Sequence, residues 1–189
     1  MKPNTIFLLI SFIWAVSEIV FGRMKYAKSS GENSPDRRSL RLLWITITVA
    51  VSAGVFLGLQ GIGFVPGVSR WAFPLGVGLI LLGLLIRWSA VFTLRKYFTS
   101  NVSILPEHRL VQNGLYRFIR HPAYTGSLLS FLGLGIAFSN WLSTLVIFLP
   151  ILTAFLYRIR VEEEALLQAL GETYRDYCKS VKRLIPEVY

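Results

Sequence analysis

Residues 114–126, GLYRFIRHPAYTG, place two arginines, a histidine and three aromatic rings within one short stretch, which leads into Pro122–Tyr157, 36 residues without a charged side chain. Such a cluster at the mouth of an apolar segment suits chemistry at a membrane–water boundary. His121-Pro122 reads as a helix start, because proline at the first helical position lacks only an N–H that the first turn would leave unpaired anyway. That helix end is expected to offer free backbone N–H groups and a partial positive charge, which favour anionic groups. Arg117 and Arg120 add cationic charge, and Tyr116, Phe118 and Tyr124 add aromatic faces. A ligand with a carboxylate, an aromatic ring and hydroxyls would fit. The same residue types also form interfacial belts with no ligand, and composition alone leaves both readings open.

A second cluster, Arg158, Arg160 and Glu162–Glu164, follows directly after the uncharged run. Arg158 and Glu162 are i, i+4 neighbours and can share one helical face. They could be no more than a weak surface ion pair. An arginine at the membrane boundary is costly unless it has a purpose, however, and a carboxylate there could bind ribose hydroxyls or an ammonium group. The two histidines, His108 and His121, have no nearby Cys or Asp and only Glu107 adjacent, so no metal site is expected and hydrogen-bonding roles are. The single cysteine, Cys178, cannot form an internal disulfide and reads as an incidental helix residue. No nucleophilic Ser or Cys with a partner base is evident.

These residues need elements to hold them, and the composition says which. Of 189 residues 53% are hydrophobic and 16% charged, against about 25% charged in an ordinary soluble domain. The deficit falls in long blocks, so the fold class is an all-α integral membrane protein. Seventeen of the 20 Lys and Arg fall in residues 22–41, 95–120 and 158–183. By the positive-inside rule these segments are cytosolic, so the net charge of +10 reports topology and no nucleic-acid partner. Apolar runs at Thr5–Gly22 (retained, with no cleavage site after it), Leu42–Gln60 and Ala72–Leu94 read as three spans. The run from Pro122 would extend about 54 Å as one helix, against a hydrocarbon core of about 30 Å. It must therefore fold back at Ser139-Asn140, which makes five spans with the N-terminus outside. The whole chain, 1–189, reads as one domain: residues 1–70 hold two spans and a basic linker (23–41), and 87–188 form the core around the motifs. Glu162–Val181 has apolar residues at amphipathic helical spacing, with Gly171 a weak point, and is expected to lie over the cytosolic mouth of the bundle. Glu18 and Arg87 are charges at membrane depth. Arg87 is expected to snorkel to the interface, and the role of Glu18 stays open.

The segments RWSAVFTL (87–94), EHRLVQNGLYRFIRHPAYTG (107–126), RIRVEE (158–163) and ALGETYRDYCKSVKRLIP (169–186) together resemble the isoprenylcysteine carboxyl methyltransferase family and its phospholipid methyltransferase relatives. The compact chain is similar to the prokaryotic branch. The resemblance implies an S-adenosylmethionine-dependent transferase whose cofactor pocket is closed by the cytosolic loops and the C-terminal helix. It places cofactor contacts on His108, Arg109, Leu110, Val111, Tyr116, His121, Pro122, Ala123, Tyr124 and Glu162, and assigns Arg158 to the substrate, as the one catalytic residue. A sulfonium methyl is already electrophilic and a carboxylate already ionised, so in-line transfer needs alignment and no covalent intermediate. The cofactor would enter from the cytosol, and a lipophilic or prenylated acceptor laterally among membrane lipids. The acceptor could be an isoprenylcysteine or another lipophilic carboxylate, oxygen or thiol. Two other readings stand beside this one: an NADPH-dependent membrane reductase of the sterol-reductase kind, and a small transporter or scaffold. The latter is argued against by the lack of an evident repeat.

Overall fold

The computed structural model describes residues 35–94 and 110–189. The expected first span, Glu18, most of the basic linker, and His108 and Arg109 lie outside the described residues. Within them the regular structure is helical: α1 (Pro35–Gln60), α2 (Ser69–Leu94), α3 (Pro122–Ala137), α4 (Trp141–Leu170) and α5 (Glu172–Ser180), with 3-10 turns at Pro66–Val68 and Gly114–Arg117. Helices α1, α2 and α4 are each long and apolar enough to cross a membrane. With 16 residues, α3 rises about 24 Å, short of a full crossing by itself. The start of α1 departs from expectation. It begins at Pro35, inside the stretch read as linker, because proline suits the first helical turn and arginine is a good helix former.

Helix α3 lies between α2 and α4, and α4 carries α1 on its other side. Ile80, Phe131, Leu134, Ile147, Ile151 and Phe155 form the interior. Val49, Leu59, Leu85 and Phe92 face outward, as lipid-facing residues do. Antiparallel α2 and α3 touch backbone to backbone through glycines two turns apart. A Cβ on Gly76 would stand 2.5 Å from the Gly133 carbonyl oxygen, and one on Gly126 2.5 Å from that of Gly83. Burial of apolar surface drives little helix association in lipid, so close approach at small residues is what holds such a pair.

Away from the motifs the hairpin turns at Ser139-Asn140, as expected. Ser139 takes a φ of 53°. Asn140 caps α4 by accepting from Ser143 N at 2.9 Å, and its Nδ2 donates to Leu57 O and Ile62 O at 3.3 and 2.7 Å. Val65 N donates to Ser139 O at 2.8 Å, so the α1–α2 turn is stitched to the α3–α4 turn. At the motif end a second expectation changes. Glu162–Val181 is not one helix: α4 continues unbroken past the apolar run to Leu170. Gly171, at φ 54°, then turns the chain into α5, because only glycine takes that conformation cheaply. After α5 the chain returns as a strap, residues 181–184, which bridges Ile119 through Lys182.

Candidate functional site

Because α4 runs on beyond the apolar stretch, Arg158 and Glu162 project one turn apart at the motif end of the bundle. Arg158 is only 2% exposed and donates to Ser39 Oγ of α1 at 2.5 Å. Tyr124, in the first turn of α3, donates through its hydroxyl to Glu162 Oε2 at 2.7 Å, and the Arg158 guanidinium lies against the same phenol. The Tyr124 ring also stacks on His121, at 5.6 Å between centroids, and tilts against Phe155 at 5.1 Å. Among the described residues Tyr124 is the one hydrogen-bonding partner of Glu162. Tyr116 is buried close by. Burial first, and then the Glu162 charge, hold its phenol well above the ordinary value, so it is a neutral donor at physiological pH. Arg158, Tyr124, Glu162 and Tyr116 thus converge, although 46 residues of sequence separate Tyr116 from Glu162.

The adjacent carboxylate is used quite differently. Glu163 Oε1 accepts from Arg120 Nε at 3.0 Å and lies 3.1 Å from His121 Nε2, while Oε2 accepts from Arg183 Nε at 2.9 Å. Arg120 donates further to the carbonyls of Cys178 and Val181. Arg120 is therefore not a loose cation awaiting an anion, which corrects the expectation from sequence. The start of α3 needs the same correction. His121 N donates to Arg183 O at 3.0 Å, and Tyr124 N and Thr125 N both donate to His121 O at 3.1 Å. These N–H groups are satisfied within the chain, that of His121 by the strap and those of Tyr124 and Thr125 by the cap residue's own carbonyl.

That strap organises much of the expected cofactor segment. Arg120 N donates to Lys182 O at 2.7 Å, and Thr125 Oγ1 to Leu184 O at 2.9 Å. Burial pushes the Tyr177 phenol up to about 12, and this neutral hydroxyl donates to Tyr116 O at 2.5 Å. Leu110 packs against Tyr174, Tyr177 and Val181. Val111 and Ala123 are half-buried and Pro122 is buried. The Ala123 carbonyl accepts from Arg87 Nη1 at 3.2 Å, so Arg87 does reach the end of the bundle but is tied to α3 there. Arg117 and Phe118 point outward and stack on each other at 5.5 Å, which makes them the belt and not the site. Glu164 is exposed.

Sequence reasoning missed Ser39 and Arg183. The run Glu162–Glu164 was singled out, but the division of labour between Glu162 and Glu163 depends on partners 20 and 43 residues away. Chemically, the site offers a buried guanidinium for an anion, a carboxylate for hydroxyls or an ammonium, and neutral phenols. Among the described residues no group of His, Cys, Asp and Glu could hold a metal.

The comparisons with known proteins agree with one another. Residues 76–168 match the family described as "Isoprenylcysteine carboxyl methyltransferase (ICMT) family". Protein-S-isoprenylcysteine O-methyltransferase B of Arabidopsis thaliana is 33% identical over 144 residues, covering 74% of this chain and 73% of that one. A probable protein-S-isoprenylcysteine O-methyltransferase of Oryza sativa subsp. indica is 29% identical over 184 residues, or 93% and 95% of the two chains. The solved eukaryotic intramembrane Ras methyltransferase ICMT superposes with a TM-score of 0.62 at 24% identity, over 95% of this chain and 64% of that one.

Proposed function

Because the chain belongs to the isoprenylcysteine carboxyl methyltransferase family and is a membrane methyltransferase, we propose that it methylates the carboxylate of a protein C-terminal S-isoprenylcysteine, or a similar isoprenoid or lipid carboxylate, using S-adenosyl-L-methionine. The residues fit such a cofactor. Glu162, with one hydrogen-bonding partner among the described residues, has acceptor capacity left for ribose hydroxyls or an ammonium group. Leu110, Val111, Tyr116, His121, Pro122, Ala123 and Tyr124 line the same end of the bundle, and His108 and Arg109 complete the proposed set. When bound, the cofactor supplies an electrophilic sulfonium methyl.

The chain's own residues bind and orient. Arg158 holds the acceptor carboxylate, and Tyr124 keeps Glu162 and Arg158 in register on one side of α4. A carboxylate is ionised at neutral pH, so no base need remove a proton, and alignment of donor and acceptor is the main catalytic contribution. The observation that carries this reading is Arg158 itself: a guanidinium 2% exposed, held by Ser39 beside the Tyr124–Glu162 pair. Burying such a charge is costly without a task for it.

The molecule is an integral membrane protein. We place the site on the cytosolic face because basic segments border it. The relatives named above are eukaryotic and lend no support to the prokaryotic membrane expected from the sequence. The acceptor would arrive laterally from among the lipids.

The deciding experiment is calorimetric titration of S-adenosylhomocysteine into detergent-purified protein, alongside NADPH and the Glu162→Ala variant. Binding that the variant loses supports the cofactor and its site. Binding of NADPH in its place would overturn the methyl-transfer chemistry in favour of a reductase.

A further inference from the structure

We infer that the two adjacent glutamates have separate tasks. Glu162 faces the cofactor, whereas Glu163 is a positioning residue that latches the C-terminal strap over the cofactor segment and so sets cofactor affinity without touching the cofactor. The inference rests on the cofactor reading given above.

Glu163 is half-buried on α4 and ties together three separate parts of the chain. It joins α4 to Arg120 and His121 ahead of α3, and both to Arg183 of the strap. In each pair a second guanidinium nitrogen, Arg120 Nη2 at 3.0 Å and Arg183 Nη2 at 2.8 Å, meets the same carboxylate oxygen as the first. Both carboxylate oxygens are engaged, one by two cationic or hydrogen-bonding partners and the other by a third. Among the described residues Glu162 by contrast has one hydrogen-bonding partner, the neutral Tyr124 phenol. Charge-assisted hydrogen bonds are about twice as strong as neutral ones. A carboxylate so engaged is unavailable to a ligand but well suited to fixing backbone.

What the latch fixes is the proposed cofactor segment itself. The strap and α5 hold Tyr116 through the Tyr177 hydroxyl, Leu110 through its packing on the Tyr174–Tyr177–Val181 cluster, and His121 through its backbone N–H, while the His121 ring meets Glu163 itself. If the strap lifts, these three lose their anchors together, while Arg158 keeps its bond to Ser39. A site competent for only a fraction of the time binds more weakly by that fraction. Opening the latch should therefore weaken cofactor binding and leave the acceptor side unchanged.

The chain carries its own reporter. Cys178 is its single cysteine, half-buried on α5, and its carbonyl accepts from Arg120. Burial pushes the thiol up, so a closed strap keeps it slow to alkylate. The experiment compares wild type, Glu163→Gln and Arg183→Gln in detergent. It measures maleimide labelling of Cys178 with and without S-adenosylhomocysteine, calorimetric affinity for S-adenosylhomocysteine, and steady-state constants for each substrate.

The expected result is faster Cys178 labelling in both variants and slower labelling of wild type when S-adenosylhomocysteine is present. Affinity should fall about tenfold to a hundredfold, the scale of one or two charge-assisted bonds. The KM for S-adenosylmethionine should rise in parallel, with kcat at saturation and the KM for acceptor nearly unchanged. A merely structural role would do the opposite: it would lower the active fraction and kcat, and leave both KM values alone. That pattern, or unchanged labelling and affinity in folded variants, overturns the latch. Should wild type fail to bind S-adenosylhomocysteine, the cofactor reading falls. Cys178 labelling then still decides whether Glu163 holds the strap, and no acceleration there overturns the latch as well.

Discussion

The two ends of this bundle solve the same mechanical problem with different chemistry. At each end an irregular segment must be tied to a neighbouring helix hairpin. Where α1 turns into α2, the tie is neutral: Asn140 alone bonds Leu57 O, Ile62 O and Ser143 N, and Ser143 Oγ reaches Gly54 O at 2.7 Å. At the motif end the tie is ionic, with Glu163 at its centre and Arg120, His121 and Arg183 around it. A few neutral hydrogen bonds suffice to hold that turn, so holding the chain together does not by itself explain the number of charges at the other end. Arg158, Glu162 and Tyr124 stand outside the tie, and they are the residues to which the proposed function assigns the acceptor and the cofactor.

That contrast can be broken by substitution, and the effects should be ordered. Arg158→Ala should have the largest. With no guanidinium to align the acceptor, turnover should fall about a hundredfold or more, while affinity for S-adenosylhomocysteine measured by calorimetry stays within a few-fold of wild type. Unchanged turnover would remove Arg158 from the mechanism. Next comes Glu162→Ala, which should weaken S-adenosylhomocysteine binding by about tenfold to a hundredfold, as expected for the loss of one buried charged acceptor. Asn140→Ala should show the reverse pattern. It leaves two carbonyls and a helix N-terminus without partners, for a loss of about 2–3 kcal/mol in unfolding measurements in detergent, yet cofactor affinity should not move. A cofactor effect from Asn140 would mean that the two ends are coupled and the contrast is wrong. The smallest effect belongs to Arg175→Ala. The exposed Arg175–Glu172 pair lies one turn from the latch but outside it, and such pairs are worth little, so the melting temperature should not change measurably.

How much of this was readable from the residues follows from the range of each signal. Local punctuation was legible: Pro122 starts α3, Ser139-Asn140 turns the hairpin, and Gly171 was marked as weak, although as a dent in one helix and not the break between two. That both clusters lie on one side of the membrane was legible in the charge asymmetry, whereas the grouping of Tyr116, Tyr124, Arg158 and Glu162 into one site came only from the family resemblance. The latch was out of reach because pairing Glu163 with Arg120 and Arg183 requires knowing that the strap runs beside Ile119. For the same reason Arg120 was misread as free charge. Ser39 was invisible because residues 35–41 read as linker, so no helix was there to carry it to Arg158.

The glycine contact between α2 and α3 has a consequence beyond packing. Helices in backbone contact cannot be tuned by side-chain size, so their separation is a machined dimension and not an adjustable one. Gly83 sits four residues before Arg87, and Gly126 three residues after Ala123, so the span of the Arg87–Ala123 bond is set by that dimension. Gly76 and Gly133 repeat the gauge about 10 Å deeper in the bundle. Tolerance to substitution is thereby inverted: among the positions least open to replacement are four with no functional group at all.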